Sequence, residues 1–355
     1  MKSITRISFA LLGSAIAATA SAQWSYLSLH PAGKDFSYGI DGTVGQQVGY
    51  AGLGSTPHAA LWHGTAGSFI DLNPAGSPTS SAFGAGGNQQ VGDAQISGIT
   101  TAGFWTGSAA SWVALNPVGA TFGTARATSG SQQGGQVAFG GQNHAALWSG
   151  SAGSFVDLHP GGANFSGVEA VIGGAQGGFA NFGGTIKAGI WAGSAGSFVD
   201  LHPAGYSEST VFDMLGSNQV GYAVTSSNSH AAMWAGSSAS FVDLNPAGAT
   251  KSALFGMDST YQAGYARFGT TDKAGLWSGT SGSYFDLHQF LSANYTSSRA
   301  NAVWTDAGTL YVVGYAFNAT DNRFESVLWS QPVPEPTTML ALGVGLVALI
   351  KRRKR

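Results

Sequence analysis

Five aspartates recur at one position of a fixed spacing. Asp71, Asp157, Asp200, Asp243 and Asp286 are separated by multiples of 43 residues, with Ala114 and Ser28 at the two remaining positions. A ring of five carboxylates could hold Ca²⁺ or do acid–base work on a glycoside. The local sequence Asp-Leu-(His/Asn)-Pro supports a simpler use, because an aspartate there closes a turn on its own backbone. The D-x-D-x-D-G loop of a calcium site is absent, so turn and blade-edge bonding is the expectation. Histidines keep the same register: His58, His144 and His230 stand four residues before a tryptophan, where other units carry Thr101, Lys187, Lys273 and Glu325. His30, His159, His202 and His288 alternate with Asn73, Asn116 and Asn245. Exchange with asparagine or lysine points to hydrogen bonding rather than to a metal site. Carboxylates that break the repeat are the better candidates for catalysis: Glu169, Asp213 and Asp258, expected in strands that converge on one axis. Trp24, Trp112 and Trp304 stand outside the tryptophan register and are the candidates for an exposed ring on which a sugar could stack. With no cysteine there is no thiol nucleophile and no Cys-ligated metal. The G-x-S-x-G, H-E-x-x-H, P-loop and Rossmann patterns are absent, and the glycine-rich runs Gly84–Gly87 and Gly173–Gly178 fall at expected strand turns rather than before helices. No catalytic residue, metal or cofactor is assigned.

The elements that position these residues come from the repeat. Trp62, Trp105, Trp148, Trp191, Trp234 and Trp277 are spaced 43 residues apart, and Pro31, Pro74, Pro117, Pro160, Pro203 and Pro246 keep step with them. A group needed for packing recurs in every unit, so these tryptophans, with Trp329, are read as core between units, each burying on the order of 200 Å². Each unit reads as four short strands separated by Gly, Ser and Asn clusters. For residues 206–246 they are Glu208–Leu215, Gln219–Val224, Ala231–Trp234 and Ser240–Leu244. Segments such as Ala-Ala-Leu-Trp are apolar on both faces, as a strand packed between two sheets requires. Forty-three residues and four strands make a propeller blade.

The two ends of the array are complementary. Trp24 to Pro31 supplies only the fourth strand of a unit, and Glu325 to Ser330 ends on a third strand. Pairing Tyr26–Leu29 with Ser326–Trp329 completes a seventh unit and removes both exposed edges. The predicted fold is therefore all-β, a seven-bladed β-propeller over residues 23–331, with blades centred on the six tryptophans above and on Trp329. A linear solenoid would want capping units instead. The spacing from Trp277 to Trp329 is 52 residues, and the additional residues are expected as longer loops near 289–298 and 305–309.

Residues 1–22 read as a secretory signal peptide. Lys2 and Arg6 precede an apolar run, and Ala20-Ser21-Ala22 is a cleavage site that makes Gln23 the mature N-terminus. At the other end, Pro332-Val-Pro334-Glu335-Pro336 precedes an apolar run, Thr337 to Ile350, and the basic end Lys351 to Arg355. Fourteen residues make a helix of roughly 21 Å, short for the roughly 30 Å core of a bilayer. The basic end predicts a cytoplasmic terminus. Pro-Glu-Pro, apolar stretch and basic end, in that order, resemble the PEP-CTERM sorting signal of Gram-negative bacteria. The resemblance covers 332–355. It implies a short C-terminal hydrophobic helix, transient anchoring in the inner membrane, and recognition through Pro334, Glu335 and Pro336 by an exosortase-type transpeptidase that removes the tail, commonly in exopolysaccharide producers.

Without its two ends the chain is more acidic: 8 Lys+Arg against 16 Asp+Glu leave about −8 for residues 23–332, where the whole chain is −2. An acidic domain without a basic stripe argues against nucleic acid. The unit also resembles the HAF extracellular repeat, on Gln47-Val-Gly-Tyr50, Gln219-Val-Gly-Tyr222 and Val312-Val-Gly-Tyr315 followed by the His58, His144 and His230 strands, with alanine where that repeat carries phenylalanine. The resemblance implies a blade and no established activity. The reading is an exported surface or matrix protein, a non-enzymatic binding propeller with exopolysaccharide as partner and signal peptidase and exosortase acting during export. A polysaccharide hydrolase or lyase, and a ligand-free spacer, are the alternatives.

Overall fold

The computed structural model describes residues 23–333. The signal peptide up to Ala22, the Pro334, Glu335 and Pro336 motif and the C-terminal helix expected from the sequence lie outside the described residues. Seven four-stranded antiparallel sheets follow one another around an axis. The first blade is Phe36–Thr43, Gln46–Leu53, Thr56–Trp62 and Ile70–Asp71, from the axis outward. The unit at 206–246 forms Glu208–Leu215, Asn218–Val224, Ser229–Trp234 and Val242–Asp243. Its outer strand is shorter than expected because Ser240 belongs to a single 3-10 turn, Ser238–Ser240.

The ring closes as the ends predict. Ser25–Ser28 lies antiparallel to Arg323–Pro332, with Tyr26 opposite Trp329 and Leu27 opposite Leu328, and the Leu29 amide donates to the Ser326 carbonyl at 2.8 Å. The additional residues of this seventh blade are not mainly loop. A short helix, His288–Phe290, takes up part of them. Most of the rest lengthen the strands Tyr295–Asp306, Thr309–Asn318 and Arg323–Pro332, which outreach the six to eight residues of their counterparts in other blades.

Packing between blades repeats. Trp62, Trp105, Trp148, Trp191, Trp234, Trp277 and Trp329 are fully buried, as are Leu29, Leu72, Leu115, Leu158, Leu201, Leu244 and Leu287. The Trp277 indole N–H donates to the Leu244 carbonyl of the preceding blade at 2.9 Å. Trp112 turns out to be in register after all. It occupies the place of Phe69, Phe155, Phe198, Phe241 and Tyr284, each of which lies against its blade's core tryptophan, with ring centroids 4.6 Å apart for Trp105–Trp112 and 4.9 to 6.1 Å for the others.

A polar clasp joins successive blades at the Asp-Leu-(His/Asn)-Pro corner. Ser166, on the inner strand of one blade, accepts the Ala145 amide of the blade before at 2.8 Å and bonds His159 Nδ1 at 2.8 Å, while His159 Nε2 reaches the Ala163 carbonyl at 3.0 Å. Because the carbonyl can only accept, Nε2 carries the proton and Nδ1 accepts from the serine hydroxyl. Ser209 with His202, and Ser37 with His30, repeat the arrangement. Asn73 and Asn245 do the same work, with the amide oxygen accepting from Ser80 and Ser252. Where the serine is replaced by Gly123, Asn116 Oδ1 takes the Ala102 amide directly at 2.9 Å, and a Cβ on Gly123 would stand 1.9 Å from that oxygen.

Candidate functional site

The innermost strand of every blade carries a β-bulge, at Ile40, Phe83, Arg126, Glu169, Phe212, Phe255 and Asn301. A bulge sets two residues against one on the partner strand and re-aims a side chain. Here it pushes a carbonyl toward the facing strand, where only glycine fits. A Cβ on Gly49, Gly92, Gly135, Gly178, Gly221, Gly264 or Gly314 would meet that carbonyl oxygen at 1.8 to 2.1 Å. This is the physical content of the recurring Val-Gly-Tyr. Gly178, at the end of the Gly173–Gly178 run, therefore sits within a strand; Gly173 and Gly174 make the turn.

The seven bulged side chains line one channel of about 760 Å³ along the axis. Backbone geometry repeats there and chemistry does not. Ile40, Phe83, Phe212 and Phe255 are apolar; Arg126, Glu169 and Asn301 are polar. The Arg126 guanidinium lies 4.2 Å from the Phe83 ring centroid. Its Nε is 4.0 Å from Glu169 Oε2, and Gln136 donates to Glu169 Oε1 at 3.3 Å. Burial raises the Glu169 carboxyl above the usual range, against the pull of Arg126 and Gln136. Phe212 packs on Phe255 at 5.2 Å, and Phe255 stacks on Tyr265 at 6.0 Å. The Arg299 guanidinium also lies over the Tyr265 ring, 4.1 Å from its centroid. Arg299 is committed elsewhere, to Asp272, at 2.6 Å. Burial opposes charge on Asp272, yet Arg267 and Arg299 together hold its carboxyl low.

Of the repeat-breaking carboxylates, Glu169, Asp213 and Asp258 all border the channel. Their roles differ. Asp213 accepts the Met214 amide on one oxygen at 2.7 Å and the Met257 amide of the next blade on the other at 2.8 Å. Asp258 lies just past its inner strand, Lys251–Met257, and closes a hairpin turn by accepting the Thr260 and Tyr261 amides. Asp41, which was not singled out in the sequence, stands in the position of Asp213 and staples its blade to the next through Gly42 and Ala85, at 2.7 and 2.8 Å. Burial pushes Asp41 up to about 6. Burial and then the Asp41 charge push Asp213 up to about 7. Asp93, also missed, sits beside Arg126, and burial takes it to about 6.

Trp24 and Trp304 are not exposed platforms: each is only 8% accessible. Trp24 stacks on Phe285 at 6.1 Å and Trp304 on Tyr311 at 5.6 Å. Besides the bulge rings, an accessible aromatic surface lies at one end of the channel, where the closing blade meets the first. Phe36, Tyr38, Tyr50, Tyr315, Phe317 and Phe324, all half-buried, form a continuous cluster. Tyr38 is 4.9 Å from Tyr50, 4.8 Å from Tyr315 and 5.1 Å from Phe324.

The ring of aspartates at the corners is engaged in local bonding. Asp71, Asp157, Asp200, Asp243 and Asp286 each accept the amide two residues on, at 2.8 or 2.9 Å. The second oxygen takes His58, His144, Lys187, His230 or Lys273 from the neighbouring strand, at 2.7 to 3.1 Å. The exceptions compensate. Ala114 faces Thr101, with neither charge, and Ser28 donates to Glu325, which puts the carboxylate on the other strand. Among the described residues no group of three or more His, Asp or Glu is placed to hold a metal ion.

Comparison with known proteins adds an address and a fold. Residues 332–355 match the PEP-CTERM protein-sorting motif, which points to an exported, exosortase-processed protein of a Gram-negative bacterium. No curated protein matches the sequence. Among solved structures the chain is similar to a puromycin hydrolase mutant complexed with PGG, at 12% identity and a TM-score of 0.54. It is likewise similar to puromycin hydrolase itself, at 12% identity and 0.52. In both, 81% of this chain is covered and about half, 53%, of the other. At that identity the likeness is one of fold, since propellers host unrelated functions. No helix among the described residues is long and apolar enough to cross a membrane.

Proposed function

We propose that this chain is a non-enzymatic, exported propeller of the cell surface or extracellular matrix that binds exopolysaccharide at the aromatic end of its axial channel. Signal peptidase would release residues 23–355, and an exosortase-type enzyme would recognise Pro334, Glu335 and Pro336 after the C-terminal run has held the protein at the inner membrane. The observation that carries the binding reading is the six-ring cluster from Phe36 to Phe324, opening onto a channel whose lining side chains differ from blade to blade. Sugar rings offer C–H faces that pack on aromatic rings, and hydroxyls that match Arg126, Glu169 and Asn301. The HAF-like repeats accord with an extracellular address.

The hydrolase or lyase reading has one observation in its favour, the buried Glu169 with its raised pKa beside Arg126. Asp41 and Asp213 are not free to act as the second carboxylate, because both oxygens of each already accept backbone amides; the pair that glycoside hydrolysis ordinarily uses would fall to Glu169 with Asp93, beside Arg126, or with Asp258. The test is co-sedimentation of purified 23–333 with the producing organism's exopolysaccharide, with reducing ends assayed in the same tubes. Sedimentation that Tyr38→Ala and Phe324→Ala abolish, without new reducing ends, is the expected result. New reducing ends that Glu169→Gln removes would establish the enzyme instead, and neither effect would leave the spacer.

A further inference from the structure

The described chain leaves the propeller at one defined point. Arg323–Pro332 runs from the aromatic end of the seventh blade to the opposite end, where Pro332 pairs with Thr309 and the Val333 amide donates to the Gly308 carbonyl at 2.7 Å. That hairpin continues two or three residues past its counterparts, roughly 7–10 Å at strand rise. The exit is therefore the tip of the longest blade, on the face that carries the Ser-Gly turns Ala66–Ser68 and Ser281–Ser283. Tyr315 and Phe324 lie at the other end of the same strands, roughly 20–27 Å away at that rise, with Tyr38 of the first blade packed against both.

Only Pro334-Glu335-Pro336 separates Val333 from the apolar run that begins at Thr337. Three residues reach roughly 10 Å at most. We infer that, while the tail is held at the membrane, the propeller is presented with one fixed polarity: the Ser-Gly turn face is held against the surface and the aromatic cluster points away from it. A longer leash would let either face turn outward; this one does not. The inference rests on the sorting-signal reading and adds a direction to it, since the same tail on the other face would bury the cluster.

The absence of cysteine makes the test direct. Full-length chains carrying one cysteine each would be produced in a Gram-negative host without the transpeptidase, and spheroplasts treated with a bulky polymer maleimide. Ser55→Cys and Thr270→Cys report the aromatic face, in exposed hairpins of the blades flanking the seventh. Gly67→Cys and Gly282→Cys report the turn face, where an added Cβ meets nothing within 4 Å. Membrane-bound chains should label several-fold more slowly at Gly67→Cys and Gly282→Cys than at Ser55→Cys and Thr270→Cys, and the difference should vanish in a chain ending at Val333. Equal rates on both faces of the membrane-bound chain, or the reverse order, would overturn the polarity while leaving the anchor intact. Recovery of the full-length chain in the soluble fraction would overturn the anchoring and the polarity with it.

Discussion

The corners between blades and the bulges at the axis are two sets of seven equivalent positions, and they vary in different ways. At the corners every change is balanced. Histidine gives way to an asparagine that makes the same bonds, serine to a glycine beside an asparagine that moves into its place, and an aspartate to a serine whose partner becomes Glu325. At the bulges the backbone is held constant by seven glycines and the side chains change freely, from Ile40 to Phe83 to Arg126 to Glu169. Compensated variation marks positions that hold the ring together. Variation on a fixed backbone, compensated only where Arg126 faces Glu169 and Asn301 holds the Gly39 carbonyl, marks the surface left available for a ligand.

The strongest way to break this division is at the glycines. Gly221→Ala would put a Cβ 1.9 Å from the Thr210 carbonyl oxygen, and should destabilise the propeller by about 3 kcal/mol or more. Gly67→Ala, with open space around it, should leave the urea midpoint unchanged, and a similar loss in both would remove the structural role assigned to the bulge. Next in size is the clasp. Ser166→Ala strips the buried Ala145 amide of its acceptor and should cost about 1–3 kcal/mol in the same unfolding assay.

The third prediction concerns pH. Burial lowers His30, His159 and His288 below their ordinary value. For His159 the neighbouring His144 ring, stacked at 4.1 Å, adds to this, and Asp157 and the Ala163 carbonyl oppose it. A histidine with a lowered native pKa binds fewer protons folded than unfolded, so its clasp contributes fully above pH 6.5 and is lost as the pH falls through the native value. Asp41 and Asp213 act in the other direction: raised to about 6 and about 7, they weaken the fold as the pH rises from about 4 toward 7. His159→Asn should therefore remove part of the loss of stability below pH 6.5 while keeping the clasp. An unchanged acid limb would show that this clasp does not titrate there. Smallest in stability are the channel rings. Phe83→Ala and Phe212→Ala should change unfolding by about 1 kcal/mol or less yet reduce sedimentation with exopolysaccharide. A large loss of stability instead would place these rings with the core.

The repeat, the four-strand unit and the closing pair were legible because burial imposes a period on the chain, and because two incomplete fragments at the ends can complete only each other. The site was legible in part. Glu169 and Asp213 could be found because each breaks a repeat. Asp41 escaped because Asp41-Gly42 reads as a turn dipeptide, although it lies inside Phe36–Thr43. Trp112 was misplaced because its equivalents are phenylalanines and a tyrosine, so the position keeps aromaticity rather than identity. Trp24 and Trp304 are covered by the lengthened seventh blade and its helix His288–Phe290, a departure from the repeat that spacing alone records only as a surplus of residues. The bulges were hidden in plain residues: the glycine of Val-Gly-Tyr is their signature, and its meaning depends on a carbonyl from another strand.

The closing blade also has a mechanical side. The strand that leads to the tail, Arg323–Pro332, is an interior strand, flanked by Thr309–Asn318 on one side and Ser25–Ser28 on the other. A pull on Val333 acts along the strand, nearly perpendicular to the hydrogen bonds of both ladders, so these bonds share the load in shear rather than opening one after another like a zipper. The N-terminal strand thus serves as one wall of the slot from which a tethered propeller would have to be drawn.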